Sequence, residues 1–226
     1  ASFQKLVLQN NVRVTLRQGE VSRLEVTGRE EELNLLKIEN NNGELHIAQG
    51  SRQEDRLCIA CFNRDIAIVV TTPSLTSYVG KDSSSLRIEG IPSDLMVALQ
   101  DNARVTLDGL GQRVTTTQSD NSRLEIRNRL SQLSAQLSDS SRIEIDNGEL
   151  DLITVAAQEN GSLYFDGRAN ELQASLKGNA YLDADAMTTD RVQISTADNA
   201  RAQVNPIALL AATSTQQSRT RALNEA

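Results

Sequence analysis

The side chains of this 226-residue chain that could do chemistry fall into three sets. The first is a row of arginines, Arg13, Arg104, Arg123, Arg142, Arg201 and Arg219, interrupted by Ser162 and Tyr181 at equivalent places. Two residues after Arg123, Arg142 and Tyr181 come Glu125, Glu144 and Asp183. Guanidinium groups in a row grip carboxylates bidentately, so the row could hold an acidic polysaccharide. The same alternation of sign could equally be a solvated face whose ion pairs each contribute under about 1 kcal/mol. Arg104, Arg123 and Arg142 are the candidate binding residues. The second set is acidic, with Asp108, Asp146, Asp166 and Asp185 recurring at one place and Arg127 and Asn205 intervening. Paired carboxylates serve glycosidases or calcium, but without clustered partners these read as turn-forming aspartates. The third set is His46, Cys58 and Cys61. His46 is the single histidine and, within Leu45-His46-Ile47, reads as an outward strand residue. In a strand, cysteines three residues apart point to opposite faces roughly 10 Å apart, which is beyond disulfide reach. A bulge or tight turn would bring them together, and no βαβ context supports a redox motif. Two cysteines and one histidine do not complete a zinc site without carboxylates, and no glycine-rich phosphate loop is present. No catalytic residue, metal or cofactor is expected.

What positions these residues is a repeat. Asp101-Asn102-Ala103-Arg104-Val105-Thr106-Leu107 recurs as Asp120-Asn121-Ser122-Arg123-Leu124-Glu125-Ile126 and Asp139-Ser140-Ser141-Arg142-Ile143-Glu144-Ile145. Related units begin at Asp82, Glu159, Gly178 and Asp198, so successive starts lie 19, 19, 19, 20, 19 and 20 residues apart. A constant period near twenty with alternation inside each unit marks a stacked β architecture. The polar pair opening each unit forms a turn, because Asp, Asn and Ser bond to their own backbone and Asn tolerates left-handed dihedrals. Apolar residues flank it at alternate places, as in Val105/Leu107 after the turn and Val97/Leu99 before it. One such bent pair of strands has nothing to bury its apolar side against, so units must stack.

The expected fold is all-β, a right-handed parallel β-helix of about 19–20 residues per coil with an irregular N-terminal capping region; the hand follows the general preference of parallel crossovers. Residues 1–16 read as a first coil, 17–75 as longer strands or a hairpin layer over one end, 76–205 as regular coils, and 206–226 as a degenerate last coil and tail, all in one domain. Within the cap, Asn40-Asn41-Asn42-Gly43 is a hairpin signal, and residues 30–36 add a short helical turn. An open end of such a tube is a sheet edge that recruits other chains, hence the need for a cap.

Composition narrows the function. The chain is 38% hydrophobic and 3% aromatic with no Trp, which suits a narrow aliphatic tube. Its net charge of −7 opposes nonspecific attraction to nucleic acid or anionic membrane. No apolar run approaches the length of a membrane span. Ala1-Ser2-Phe3 shows no basic or apolar leader, so any secretion signal is expected to be absent from this sequence.

The opening Phe3-Gln4-Lys5-Leu6-Val7-Leu8, the run Val12-Arg13-Val14-Thr15-Leu16-Arg17-Gln18-Gly19, the segment Val69-Val70-Thr71-Thr72-Pro73-Ser74-Leu75 and the repeated corner together resemble the bacterial family called putative auto-transporter adhesin, head GIN domain. The resemblance spans almost the whole chain. In that family the corners are rich in glycine, whereas Asp-Asn-Ala-Arg or Asp-Ser-Ser-Arg stands here. The resemblance implies a β-helical fold, export to the periplasm or cell surface of a Gram-negative bacterium, an adhesive or scaffolding role, and no catalytic residues. The leading expectation is therefore a non-enzymatic exported β-helix that binds a glycan or a cell-surface protein. The alternatives are a polysaccharide lyase or hydrolase of the pectin-lyase type, using the acidic and arginine columns, and a scaffold that self-associates end to end.

Overall fold

The structure, a computed structural model, describes residues 2–50, 66–90 and 94–223, so Cys58 and Cys61 lie outside the described residues. Strands β1 (Lys5–Gln9), β2 (Arg13–Gln18) and β3 (Arg23–Thr27) precede one helical turn, α1 (Glu30–Leu33). Short strands β4 (Leu36–Asn41), β5 (Glu44–Gln49), β6 (Ala67–Thr72), β7 (Ser77–Gly80), β8 (Ser85–Glu89), β9 (Leu95–Leu99), β10 (Arg104–Asp108) and β11 (Gly111–Gln118) follow. Strands β12 (Arg123–Leu137), β13 (Arg142–Ala157), β14 (Ser162–Leu176), β15 (Tyr181–Thr196) and β16 (Arg201–Ser214) each run through a bend, and β17 (Arg219–Ala222) ends the series.

All of these strands join in one hydrogen-bonded network, wound as a β-solenoid. The arm after each polar corner lies in what we call the front sheet, and the arm before it lies in the back sheet. The front sheet stacks β6, β2, β8, β10, the first halves of β12 to β16, and β17, all parallel. The back sheet stacks β5, β1, β7, β9, β11 and the second halves of β12 to β16.

Register is what turns a weakly hydrophobic sequence into a core. Val105 pairs with Leu124, Leu124 with Ile143, Ile143 with Leu163, Leu163 with Leu182 and Leu182 with Ala202, and each of these is at most 2% exposed. Side chains alternate inward and outward along a strand, so every coil presents the same inward set, and one row completes another. The third place of each unit is also inward: Ser84, Ala103, Ser122, Ser141, Ala180 and Ala200 are all fully buried. Only small side chains fit there, next to the corner. In the back sheet, Tyr78 is buried with its hydroxyl over Gly80, where a Cβ would come within 2.5 Å of the tyrosine oxygen.

The corners explain why aspartate opens the unit. The first corner residue is left-handed in every regular coil: Asp82, Asp101, Asp120, Asp139, Glu159 and Asp198 have φ between 51° and 62°, and Gly178 has φ of 73°. Glycine would be the low-strain choice. Aspartate compensates through its carboxylate, which accepts a hydrogen bond from the coil before: Asp101 N–H donates to Asp120 Oδ2 at 3.4 Å, Asp120 N–H to Asp139 Oδ2 at 3.3 Å and Gly178 N–H to Asp198 Oδ2 at 3.1 Å. Beside it the backbone continues the ladder, Asn121 N–H donating to the Asp101 carbonyl and Asn160 N–H to that of Asp139, both at 3.0 Å. The backbone N–H of Asp120 and the Ser138 hydroxyl hold the Asp139 carboxyl below its ordinary pKa.

The N-terminal end is built out of chain order. β5 and β6 form the outermost coil, β1 and β2 the next, and β7 and β8 the third. The expected first coil is therefore second in space, and part of the expected cap, β5 and β6, is itself a coil. The covering layer is β3, antiparallel to β6, and β4, antiparallel to β5. The β4–β5 hairpin turns on Asn42 (φ 51°) and Gly43 (φ 81°), as the sequence predicts for a two-residue turn with both residues left-handed. At the other end, Gln216 (φ 60°) makes the corner that leads into β17, the weak last coil.

Leu163→Ala, in the middle of a continuous row, should lower unfolding free energy by about 2–5 kcal/mol, measured by urea titration. Asp139→Ala should destabilise the protein at neutral pH. A carboxyl with a depressed folded pKa contributes stability above its unfolded value, about 3.9, and loses it as pH falls through the folded value. The difference in melting temperature between wild type and Asp139→Ala should therefore shrink as pH is lowered below that range.

Candidate functional site

The front face gathers the arginine row. Arg104, Arg123 and Arg142 stand in register on consecutive coils, followed by Ser162, Tyr181, Arg201 and Arg219. All point outward because the residues on either side of each, such as Ser122 and Leu124 around Arg123, point in. The neighbouring column carries Glu125, Glu144, Tyr164, Asp183 and Gln203 in register.

The pairing within this face departs from a simple ladder. Arg123 and Arg142 both converge on Glu144, while Glu125 is taken by Arg127 at 2.6 Å. Glu144 is only 17% exposed at its side chain, so it serves two guanidinium groups from a half-buried position. Further along the face Arg87 pairs with Asp108, and Arg17 with Glu89 at 2.8 Å. Arg127 lies in register with Asp108 on one side and Asp146 on the other, which splits the acidic column with a cation. Arg104 is exposed and sits in register between Ser85 and Arg123.

Beyond Arg142 the chemistry changes. The Arg142 guanidinium lies over the Tyr164 ring at 4.0 Å, and Tyr164 meets Tyr181 edge to face, with centroids 5.9 Å apart and planes at 66°. Ser162, small and in register between Arg142 and Tyr181, leaves space for these rings. The Tyr181 hydroxyl donates to Asp183 Oδ2 and accepts from Gln203 Nε2, both at 3.1 Å. Partial burial, and then Asp183 through its hydrogen bond and its charge, push the Tyr181 pKa up. Desolvation and the Asp183 charge raise that of Asp185.

The back face is different in kind. One outward column reads Thr117, Gln136, Ala156, Ser175, Ser195 and Thr213 in register, and beside it run Thr115, Ser134, Thr154, Gln173 and Gln193. No charged residue stands in either stretch, and a shallow groove of about 650 Å³ crosses them. Sequence reading missed this face because nothing in any single unit marks it; the signal is an absence of charge repeated at one place. His46 projects outward from β5 on the same side of the fold, with Nε2 3.3 Å from Gln9 Oε1. Among the described residues no group of three or more His, Cys, Asp or Glu is placed to hold a metal ion. No helix among them is long and apolar enough to cross a membrane.

The family model described as "Putative auto-transporter adhesin, head GIN domain" matches residues 2–226. Solved structures of similar fold include a putative adhesin from Parabacteroides merdae ATCC 43184, at 11% identity and TM-score 0.79 over 99% of this chain and 93% of that one. A putative adhesin from Parabacteroides distasonis ATCC 8503 aligns at 13% identity and TM-score 0.71 over 98% of this chain and 90% of that one. A putative lipid binding protein from the same strain aligns at 14% identity and TM-score 0.78 over 99% and 94%. At such identities the likeness is one of fold. No curated protein matches the chain by sequence.

Proposed function

We propose that this chain, which belongs to the putative auto-transporter adhesin, head GIN domain family, is a non-enzymatic binding protein exported to the periplasm or surface of a Gram-negative bacterium. Its partner is a glycan or a cell-surface protein, held along the front face of the solenoid. The observation that supports this reading is the register of that face, which fixes Arg104, Arg123 and Arg142 on consecutive rungs about 4.8 Å apart. An extended partner with acidic groups along its length would meet them in turn. Asp108, Glu125 and Glu144 on the same face are each engaged by arginines, as in Arg87–Asp108, Arg127–Glu125 and the shared Glu144, and Asp183 accepts from the Tyr181 hydroxyl. This is an arrangement of paired side chains and not of two free carboxylates flanking a bond, which glycosidase chemistry requires.

A second reading, end-to-end self-association, has one observation in its favour. From Ile207 to Ser214, β16 carries no charge, exposes Ile207 and Leu209, and is the outermost strand of the back sheet among the described residues. Long uncharged edges recruit further strands. Light scattering over a wide concentration range distinguishes the two, since a particle that stays monomeric throughout removes the second.

Binding through the front face is tested by retention on immobilised dextran sulfate against unmodified dextran. Arg104→Gln should elute at lower salt than wild type. Glu144→Gln should elute at higher salt, because it releases two guanidinium groups at once. Equal elution of all three proteins would contradict the proposal.

A further inference from the structure

We propose that Tyr164 and Tyr181 form a sugar-binding subsite for a neutral pyranose ring. This rests on the reading of the chain as a binding protein and adds the place and chemical class of one contact.

Among the described residues, Tyr164 and Tyr181 are the two aromatic side chains outside the core; Phe3, Tyr78 and Phe165 are buried. In a chain with 3% aromatic residues, two half-exposed rings on adjacent coils in edge-to-face contact are a concentrated feature. Both rings are held in place: Tyr164 lies under the Arg142 guanidinium, and Tyr181 is tied through its hydroxyl to Asp183 and Gln203. Rings fixed in this way lose little freedom when a ligand covers them.

The chemistry around the rings suits a sugar. A tyrosine ring has an electron-rich face that attracts the C–H groups on the apolar side of a pyranose. The rim supplies what sugar hydroxyls need: Asp183 accepts, Gln203 both donates and accepts, and Arg142 donates. Charge selects the class. Asp183 and Asp185 stand beside Tyr181, and the raised pKa of Asp185 reflects Asp183 as well as desolvation. A uronic or sialic acid here would bring a third carboxylate to the pair, whereas a neutral ring brings hydroxyl donors that relieve it.

The test is calorimetric titration of the intact chain with cellohexaose, maltohexaose, N-acetylchitohexaose and, as the acidic member, hexagalacturonate. Near-ultraviolet circular dichroism serves as a second readout. With no Trp and three Tyr in the chain, a tyrosine signal that moves on binding, and is lost in the Tyr164→Leu and Tyr181→Leu variants, reports this subsite. The expected result is that at least one neutral hexamer binds. Its affinity should fall about tenfold or more in each leucine variant and less in Tyr181→Phe, which keeps the ring. Thermal unfolding of each variant is recorded alongside, and Tyr181→Phe keeps the test valid should a leucine variant not fold. The proposal is overturned if no neutral hexamer binds, if hexagalacturonate alone binds, or if a bound hexamer is indifferent to both tyrosines. In the last two cases the chain is still a saccharide-binding protein and only the subsite fails. A wild-type chain that dextran sulfate does not retain, with hexamer binding intact, would instead count against the arginine row alone.

Discussion

One coil of this protein has no means of burying its own apolar side, and the whole molecule follows from the need to place the next coil over it in the same register. Inward positions then fall on inward positions, so Leu124, Ile143 and Leu163 become one internal row although they are 19 and 20 residues apart in sequence. The same constraint requires small residues at the third place of the unit, where Ser122, Ser141 and Ala180 are fully enclosed. It also makes each corner repeat the strained left-handed residue. Stacked aspartates on adjacent corners ought to repel. Here the carboxylates of Asp120, Asp139 and Asp198 instead receive a backbone N–H from the coil before, so side chains that resist stacking become rungs of the stack.

Register also creates the surfaces. A substitution at one outward place changes one rung of one column, and the columns have diverged into a charged front and a back on which two uncharged columns run beside one that carries Arg113, Glu171 and Arg191. On the front, Arg123 and Arg142 share the single carboxylate of Glu144, whereas Arg104 is the exposed one of the three candidate residues. The tyrosines lie where the arginine row is interrupted. That interruption, a defect in the repeat, is where the face acquires an apolar platform.

Much of this was legible in the sequence because the repeat encodes register directly: unit spacing placed Val105, Leu124, Ile143 and Leu163 in one row and Arg104, Arg123 and Arg142 in another. Asn42-Gly43 announced its hairpin through local dihedral preference alone. The order of the first coils was not legible. β1 and β2 sit between β5/β6 and β7/β8 because parallel pairing depends on which edges meet, and chain order leaves no mark in alternation. Nor was the sharing of Glu144 legible: Arg123 with Glu125 looks as good a pair along the strand as Arg123 with Glu144 across it, and side-chain reach between rungs decides. The polar residues inside, such as Gln118 at 1% exposure, keep the inward place of the strand, in register with Leu99 and Leu137, but break its apolar pattern, so residue type alone hides them.

One sequence unit advances the stack by a single rung. Thr117 and Ser195 are both exposed on the back face and are linked by successive register pairs through Gln136, Ala156 and Ser175. Spin labels at Thr117→Cys and Ser195→Cys, in a chain with Cys58 and Cys61 replaced by Ser, should give by pulsed electron paramagnetic resonance a narrow distance of about 19 Å, four rungs of roughly 4.8 Å. A distance near 38 Å, as two strands per unit in an antiparallel meander would produce, or a broad distribution without a maximum, would contradict the stacking on which the fold and both faces depend.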